Sequence, residues 1–383
     1  MARKPATQKV LGQPSWPLRT RDVELFVTEL GGHLGPVTFD RAGRKIQPYS
    51  VAPWAEEKID PAAPAILRVL RGDFFCMPFG DNATAYHGER HPPHGETANA
   101  RWRFESLDKD EARACLHLSL RTKTRRGRVD KYITLIPGHN AVYCRHVLSE
   151  MSGPMNLGHH AMLKFPDEPE SGRVATSPIR YGQVLPFDFE NPARGGYSAL
   201  KPGALFKRLT HVPTAAGQMA DLTRYPARRG FEDLVQVINA PSDALAWTAV
   251  TFPKQRYTWF ALKDPNVLAS TVFWLSNGGR HYAPWSFRHV NVLGLEEVTS
   301  FFHVGLAESA RANELTRRGF PTALRLTPGR PLTVNYIMGV VATPAGFDRV
   351  QRIRPEAGRI VLTASSGKKV TAPLASDFLW ETQ

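Results

Sequence analysis

Hydrophobic and polar residues alternate with a period of two through most of this chain, and that pattern constrains its fold more than any other feature. The alternating segments are short, rich in β-branched and aromatic residues, and separated by Gly, Pro, Asn and Asp. Successive side chains of a β-strand point to opposite faces of a sheet, so the pattern predicts antiparallel strands. The clearest segments are residues 23–30, 100–107, 114–120, 131–136, 141–150, 258–262 and 332–341.

Helical signal is sparse and lies toward the C-terminal end. Residues 306–320 contain good helix formers, no internal proline, and Gly319 after two arginines, which predicts a helix with a glycine at its C-terminus. A second short helix is predicted around residues 346–353. The sequence PGHN at residues 137–140 predicts a hairpin turn. The whole pattern indicates an all-β protein with one or two short helices.

The domain organisation predicted from the sequence is simple. The chain shows no internal repeat and no low-complexity linker. We expect residues 1–20 to form an extended N-terminal arm and residues 21–383 to form a single domain. Residues 166–230 are rich in Pro, Gly and Arg. Long irregular segments inside compact domains are usually functional loops, so this stretch is expected to form the rim of a site.

The chain is basic, with 49 Lys and Arg residues against 35 Asp and Glu residues and a formal net charge of +14. A positive field attracts polyanions whatever the fold. The charges are dispersed, however, and the densest run, residues 121–131, lies between two alternating segments where a solvated hairpin loop is expected. No aromatic residue for base stacking is interleaved with that run. We therefore predict no nucleic acid partner, and an anion-binding or nucleic-acid-associated protein remains an alternative supported by charge alone.

The sequence also bears on the cellular setting. No apolar run approaches the roughly 18 residues needed to cross a bilayer, and the basic N-terminus is not followed by the apolar segment of a secretory signal. Cys76, Cys115 and Cys144 are an odd number of cysteines without metal-ligand spacing. We expect a cytoplasmic protein with free thiols, no membrane association and no bound metal.

Several common catalytic signatures are absent from the sequence. It contains no G-x-S-x-G, no G-x-x-x-x-G-K-[ST], no H-E-x-x-H, and no G-x-G-x-x-G between a strand and a helix. Phosphate-loop, zinc-protease and dinucleotide-binding functions therefore have little support.

Two strings place histidines in unusual contexts. In HPPHGETANARW, His94 precedes a Gly at a strand entrance, although a surface turn also explains this string. In MNLGHHAMLKFP, alternation puts His159 and His160 on opposite faces of a strand, so one of them points inward. A buried imidazole is costly to leave unpaired and titrates near neutrality, which suits proton transfer. A core histidine bonded to a backbone carbonyl is the alternative.

A third string, residues 273–298, mixes cations, hydrogen-bonding groups and an aromatic ring. This mixture suits a polyhydroxylated ligand, because apolar sugar faces stack on Trp while hydroxyls pair with polar groups. Glu296 follows Leu295, and desolvation there would raise the pKa of the carboxyl toward the range of a general base. An irregular polar loop that closes the fold is the alternative. The candidate ligand-binding residues in this string are Asn277, Arg280, His281, Trp285 and Arg288.

Together, the three strings resemble the galactose mutarotase (aldose 1-epimerase) family and its wider mutarotase-like superfamily. The family motif HGxARxxxW is similar to HGETANARW, which begins at His94. The motif NLxxHxYF is similar to NLGHHAML, with His160 at the shared histidine, and the motif LEP is similar to LEEV, with Glu296 at the shared glutamate. Residues 27–40 also resemble the opening hairpin of that fold. The resemblance spans residues 23–345 and implies a large antiparallel β-sandwich.

The resemblance further implies acid-base ring opening of a sugar. Glu296 would take the proton of the anomeric hydroxyl, His160 would protonate the ring oxygen, and His94 would assist at the anomeric end. No metal or cofactor is implied, because groups that exchange protons near neutrality and a positioned hemiacetal suffice. His159 is a further ligand-binding candidate, and Asp233 is the candidate for the family's sugar-positioning carboxylate.

The chain also departs from the family pattern. The replaced positions are Ala98 for arginine, Met162 and Leu163 for tyrosine and phenylalanine, and Glu297 for proline. The expected function is therefore an epimerase-like protein that binds a monosaccharide, with a non-catalytic carbohydrate-binding protein as the alternative. The basic surplus adds a phosphorylated or acidic sugar as a variant, and the protein is expected to be a monomer or a homodimer. The sequence leaves open whether Glu296 or Glu297, and whether His159 or His160, faces the cleft.

Overall fold

The computed structural model describes residues 6–239 and 245–382, and most of its regular structure is β-strand. Each of the seven alternating segments overlaps an observed strand, and every pairing between these strands in the described ranges is antiparallel. In chain order the strands are β1 (Gln8–Val10), β2 (Gln13–Arg19), β3 (Glu24–Thr28), β4 (Leu34–Thr38), β5 (Phe75–Cys76), β6 (Arg103–Lys109), β7 (Ala114–Thr122), β8 (Gly127–Leu135), β9 (Ala141–Ser149), β10 (Gly153–Met155), β11 (Leu157–Lys164), β12 (Gly172–Thr176), β13 (Ile179–Val184) and β14 (Leu205–Phe206). They continue with β15 (Val212–Pro213), β16 (Met219–Ala220), β17 (Arg224–Tyr225), β18 (Phe231–Asn239), β19 (Ala246–Phe252), β20 (Tyr257–Lys263), β21 (Ser270–Asn277), β22 (Val292–Thr299), β23 (Leu324–Leu326), β24 (Leu332–Ala342), β25 (Val350–Glu356), β26 (Arg359–Ala364) and β27 (Lys369–Pro373).

Two large sheets form the sandwich. The first has seven strands in the order β14-β13-β18-β21-β22-β11-β5, and the second has nine in the order β17-β12-β19-β20-β24-β9-β8-β7-β6. Their facing sides share one apolar core, in which Phe273 and Leu295 of the seven-stranded sheet meet Trp259 and Tyr336 of the nine-stranded sheet. Burial of these apolar faces drives the two sheets together. The prediction of a large all-β antiparallel sandwich is confirmed.

The N-terminal strands add a smaller sheet. Strands β1 to β4 pair in sequence order, and β2 pairs with β3 along its length, from Ser15 opposite Thr28 to Arg19 opposite Glu24. Trp16 and Leu18 of β2 are buried in the main core. Residues 1–5 of the predicted arm lie outside the described residues. Residues 27–40 do contain a hairpin, since β3 pairs with β4 around two glycines of positive φ.

The C-terminal strands differ from the sequence prediction. Residues 346–353 were expected to be helical, but β25 begins at Val350 and pairs with β26, so that prediction is wrong. The physical reason is that Val350 and Ile353 enter a second apolar cluster together with strand residues of β26, such as Leu362. This cluster covers the outer face of the nine-stranded sheet, where Phe260 lies. The three-stranded sheet of β25 to β27 is therefore a third layer on the sandwich.

Helices are few among the described residues. They are α1 (Ala65–Val69), α2 (Leu306–Ala310) and α3 (Glu314–Arg317), with short 3-10 turns at Glu96–Ala98, Pro192–Arg194 and Ser376–Trp380. The single helix predicted for residues 306–320 is divided in two, because Asn313 caps α3 by accepting from the backbone N–H groups of Leu315 and Thr316. Gly319 follows with φ of +82°, as a C-terminal glycine should. No helix in the described ranges is long and apolar enough to cross a membrane.

Candidate active site

A cavity of about 830 Å³ lies on the outer face of the seven-stranded sheet. Its floor comes from strand residues of that sheet and the residue before β5, namely Phe74, His160, Leu234, Trp274 and Glu296. Its rim includes residues 188–191 and Arg194, which belong to the stretch predicted to form a rim. A volume of this size lies within the roughly 300–1,000 Å³ range of small-molecule sites.

His160 and Glu296 face each other on neighbouring strands of the cavity floor. Strands β11 and β22 pair so that His160 lies directly opposite Glu296. His160 Nε2 is 3.1 Å from Glu296 Oε1, and both side chains are almost fully buried. His160 Nδ1 and Glu296 Oε2 have no hydrogen-bond partner among the described residues. Buried polar atoms in folded proteins normally have partners, so these two atoms point to a role toward a ligand or ordered water.

Burial also shifts the protonation of this pair. Desolvation raises the pKa of Glu296 well above its ordinary value, and the positive charge of Arg280 offsets this only in part. Desolvation lowers the pKa of His160 well below its ordinary value, and the neighbouring His94 lowers it further. Both shifts favour the uncharged forms. The pair therefore holds its exchangeable proton without net charge.

His94 is the second imidazole at the cavity. Its ring centroid is 5.1 Å from that of His160, and burial lowers its pKa to about 3. His94 has a positive φ of 59°, and the next residue, Gly95, has φ of 74°. Asn99 fixes this turn by donating from Nδ2 to the carbonyl oxygens of Pro93, at 2.6 Å, and Gly95, at 2.7 Å. The loop around His94 is thus held in one conformation by specific contacts.

Arg280 brings a positive charge to the cavity lining. Its Nε donates to Glu190 Oε1 at 2.6 Å, and the Tyr282 hydroxyl donates to Glu190 Oε2 at 3.1 Å. The guanidinium carbon lies 4.6 Å from the ring centroid of Trp285 and 5.4 Å from that of Trp274. A guanidinium on aromatic faces beside a carboxylate is firmly positioned. This group offers ordered donors and acceptors to hydroxyl groups in the cavity.

Glu232 anchors Trp274, one of the two indole rings beside Arg280. It is fully buried and accepts hydrogen bonds from Trp274 Nε1 at 2.8 Å, from the Ser276 hydroxyl at 2.9 Å and from the Gly279 N–H at 3.3 Å. Desolvation raises the pKa of Glu232 to about 7, although Arg280 acts in the opposite direction. Glu232 thus fixes the indole of Trp274, whose ring meets the His160 ring edge-on at 5.7 Å.

Two predicted ligand-binding residues lie on the other face of the seven-stranded sheet. His159 points into the space between the sheets, where its Nδ1 is 2.8 Å from Asp73 Oδ2 and its ring stacks on Tyr336. Asp233 likewise lies outside the cavity lining, and its Oδ1 accepts from the backbone N–H groups of Ala199 and Leu200. Strand alternation separates them from His160 and Glu232, their immediate neighbours in sequence. Neither is positioned to contact a ligand in the cavity.

Three further candidates from the string 273–298 also lie away from the cavity. Asn277 ends β21, where its side chain joins two loops by bonding Ala227 and Asn291. The His281 ring packs between Tyr197 and Phe287. Arg288 forms an ion pair with Glu57, with Nη1 2.5 Å from Oε1, at the exposed surface. The structure therefore brings together His94, His160, Glu296, Arg280 and Trp285, and places His159, Asp233, Asn277, His281 and Arg288 elsewhere.

The structure also adds residues that the sequence argument did not single out. The cavity is lined by Trp274, Glu190, Tyr282, Asp81 and His303. His303 is a third imidazole in the cavity, and burial lowers its pKa to about 3. Trp274 could have been inferred from β21, since alternation places it on the face opposite Phe273 and Leu275. Glu190 and Asp81 come from irregular segments without a distinctive local pattern.

The described residues contain no cluster of three or more His, Cys, Asp and Glu side chains arranged to hold a metal ion. The three cysteines are free thiols. Cys76 and Cys144 are buried, and burial raises the pKa of each thiol well above its ordinary value.

Several solved structures that resemble this fold are described as aldose 1-epimerases or galactose mutarotase-like proteins. A galactose mutarotase-like protein from Clostridium acetobutylicum matches with a TM-score of 0.59 at 11% identity, over 88% of this chain and 98% of its own. A candidate aldose 1-epimerase from Escherichia coli K12 matches with a TM-score of 0.58 at 13% identity, over 86% of this chain and 100% of its own. A galactose mutarotase related enzyme from Lactobacillus acidophilus matches with a TM-score of 0.55 at 12% identity, over 86% of this chain and 98% of its own. No protein-family model and no curated protein sequence matches the chain.

The chain therefore has the galactose mutarotase-like fold. The resemblance inferred from the three sequence strings is confirmed at the level of the fold. At identities of 11–13% these neighbours carry no information on activity in this chain, which has to be argued from the cavity itself.

Proposed function

We propose that this protein binds a neutral aldose in the cavity and interconverts its anomers by acid-base ring opening. The observation that carries the proposal is the buried contact between His160 Nε2 and Glu296 Oε1, 3.1 Å apart on the cavity floor. A buried carboxyl group and a buried imidazole in contact can supply both a base and an acid to the same ligand.

The proton count of the pair matches the reaction. Transfer of the carboxyl proton of Glu296 to His160 gives a carboxylate and an imidazolium without exchange with solvent. Glu296 then takes the proton of the anomeric hydroxyl, the electron pair of that O–H bond forms the carbonyl, and the bond from the anomeric carbon to the ring oxygen breaks. His160 protonates the departing ring oxygen, which returns both side chains to their uncharged forms. Closure on the other face of the carbonyl reverses these transfers and yields the other anomer.

His94 and Arg280 would support this chemistry. His94 lies beside His160 and is uncharged, so it can donate or accept a hydrogen bond at the anomeric end without repelling the imidazolium. Trp285 and Trp274 hold Arg280 against their rings, and Arg280 with Glu190 offers hydrogen bonds to the sugar hydroxyls. A ligand positioned by these contacts would gain most of its rate advantage from orientation.

The charges around the cavity favour a neutral sugar over a phosphorylated or acidic one. Apart from the uncharged Glu296, its acidic and basic lining comprises two arginines, Arg194 and Arg280, and three carboxyl groups, those of Asp81, Asp188 and Glu190. Arg280 is already paired with Glu190. The basic residues that give the whole chain its net charge of +14 are therefore not concentrated at the cavity. A phosphate or carboxylate group there would meet more carboxyl groups than guanidinium groups.

Polarimetry on freshly dissolved pure anomers tests the proposal. The wild-type protein should speed mutarotation of at least one neutral aldose over buffer, and Glu296→Gln should reduce that rate by about 10²- to 10⁴-fold. Arg288→Ala is the matched control, since Arg288 lies outside the cavity and should keep wild-type activity. Binding by calorimetry without any mutarotation across the panel would replace the enzyme proposal with a non-catalytic carbohydrate-binding protein. Mutarotation confined to sugar phosphates or uronic acids would overturn the neutral-sugar part alone.

A further inference from the structure

One wall of the cavity is aliphatic. Pro64, Ile66, Leu67 and Leu70, which lie in and beside α1, all line the cavity. Ile66 and Leu70 are buried, and they pack with Phe74 in the cluster beneath the cavity. Apolar walls of sugar sites that serve hydroxylated rings are typically aromatic, because an aromatic face stacks on the ring. An aliphatic wall provides neither that stacking surface nor a hydrogen-bonding side chain.

This wall is fixed in place next to the His94 loop. Asn99 Oδ1 accepts from the Ile66 N–H at 2.8 Å, while its Nδ2 holds the carbonyl oxygens around His94. Trp54 Nε1 donates to the Leu67 carbonyl oxygen at 2.7 Å, which satisfies a helical carbonyl. The wall is therefore a rigid part of the site beside the imidazole groups.

Another part of the cavity lining is chemically different. Glu190, Arg280 and Tyr282 present charged and hydroxyl groups there. A sugar oriented with its hydroxyls toward these groups turns another edge toward the aliphatic wall. A hydroxyl group against that wall would lose its water without gaining a partner from α1, whereas a methyl group would gain favourable burial.

We propose that the preferred substrate is a 6-deoxyaldose, in which a methyl group replaces the hydroxymethyl group of the parent sugar. This inference rests on the proposed function, which places the ring oxygen at His160. In a pyranose the carbon that carries the exocyclic group is bonded directly to the ring oxygen. That exocyclic group therefore lies beside the imidazoles, where α1 supplies the aliphatic wall. Asp81 and His303 also line the cavity near His94 and are the polar groups that would favour the hydroxymethyl form instead.

The test compares matched pairs of sugars that differ only at this group. Exchange NMR gives kcat/KM for each sugar separately. The pairs are D-fucose and D-galactose, D-quinovose and D-glucose, and L-rhamnose and L-mannose, with the deoxy sugar first in each pair. For the pair with the correct ring configuration, the deoxy member should have a kcat/KM roughly tenfold higher or more, the usual size of discrimination by one small group. Leu67→Asn should reduce that ratio toward unity, and Leu67→Met should preserve it. Leu205→Asn is the control, because Leu205 is exposed outside the cavity.

The outcomes separate this inference from the proposed function. Equal kcat/KM values within every pair, or higher values for the parent sugars, overturn the preference while leaving anomer interconversion in place. Exchange at the buffer rate for all six sugars contradicts the proposed function, and calorimetry on the same pairs then decides the preference as a matter of binding alone. If Leu67→Asn fails to fold, the ratio of kcat/KM values within each pair, measured with the wild-type protein, still tests the preference for the deoxy sugar.

Discussion

Glu296 lies directly opposite His160 in the antiparallel register of β22 and β11, and this pairing places a carboxyl oxygen 3.1 Å from an imidazole nitrogen. The next pair in the same register is His159 opposite Glu297, which points into the core. One register therefore produces two histidine–glutamate pairs on opposite faces of the sheet. Only the pair of His160 and Glu296 meets the cavity. A shift of one residue would instead place Glu297 opposite His160 or Glu296 opposite His159, so the register itself defines the candidate site.

The core-facing glutamate should matter for stability. Glu297 Oε2 lies 2.5 Å from Lys263 Nζ, both side chains are about 1% exposed, and the hydroxyls of Thr248 and Thr271 donate to the same carboxylate. Glu297→Gln leaves the lysine charge buried without its partner, so we expect a loss of about 3–5 kcal/mol in the free energy of unfolding. Urea denaturation measures this loss.

The control for this prediction is Glu57→Gln, which breaks an exposed ion pair and should leave the urea midpoint unchanged. The double variant Lys263→Met with Glu297→Leu should recover part of the lost stability, because it removes both charges. A Glu297→Gln variant as stable as the wild type would show that the buried pair contributes little.

Glu232 should make stability depend on pH. Its pKa is raised to about 7 in the folded protein from an ordinary value of 4.5, so between these values the folded state binds more protons than the unfolded state. Stability contributed by this group is complete below about pH 4.5 and falls as the pH rises through 7, by roughly 3 kcal/mol in all. Glu232→Gln cannot titrate, so its unfolding free energy relative to wild type should improve by that amount between pH 4 and pH 8. Urea denaturation at several pH values gives the free energy of unfolding of both proteins. A difference between them that stays the same from pH 4 to pH 8 would contradict this assignment.

Gly95 should be indispensable to the His94 loop. It has φ of +74°, and a Cβ atom there would lie 1.9 Å from the Met77 carbonyl oxygen. Gly95→Ala should cost roughly 2–4 kcal/mol and displace His94, because both backbone strain and a backbone clash oppose it. Gly88→Ala is the matched control, since Gly88 has φ of +84° but open space around it. Thermal denaturation should show that Gly88→Ala lowers the free energy of unfolding by only about 1 kcal/mol. Equal losses for the two variants would contradict the predicted clash at Gly95.

The sequence was most informative where a strand carries the residue. Alternation separates His160 from His159 and Glu296 from Glu297, although it cannot say which face is covered by the second sheet. That choice depends on the packing of the two sheets, which no local pattern contains. The motif resemblance added the joint order of His94, His160 and Glu296, and the structure brings these three to one cavity.

The sequence was least informative where the chain is irregular. Asn277, His281 and Arg288 lie in the same string as Arg280 and Trp285, but this string leaves the strand after Asn277 and turns several times. Neighbours in sequence then point in unrelated directions. The carboxylate of Glu190 reaches Arg280 from 90 residues away, through a loop whose path is set by tertiary contacts. Such partners could not be inferred from residue type and spacing.

We propose that His160 and Glu296 act as one proton-transferring unit on a sugar. A double-mutant cycle followed by exchange NMR between the anomers tests it most directly, with the wild type, Glu296→Gln, His160→Asn and the double variant. Each single variant should lower the exchange rate by about 10²- to 10⁴-fold, and the double variant should be no slower than the slower single variant. A wild-type protein that exchanges anomers no faster than buffer, or single losses that multiply in the double variant, would contradict this joint role of His160 and Glu296.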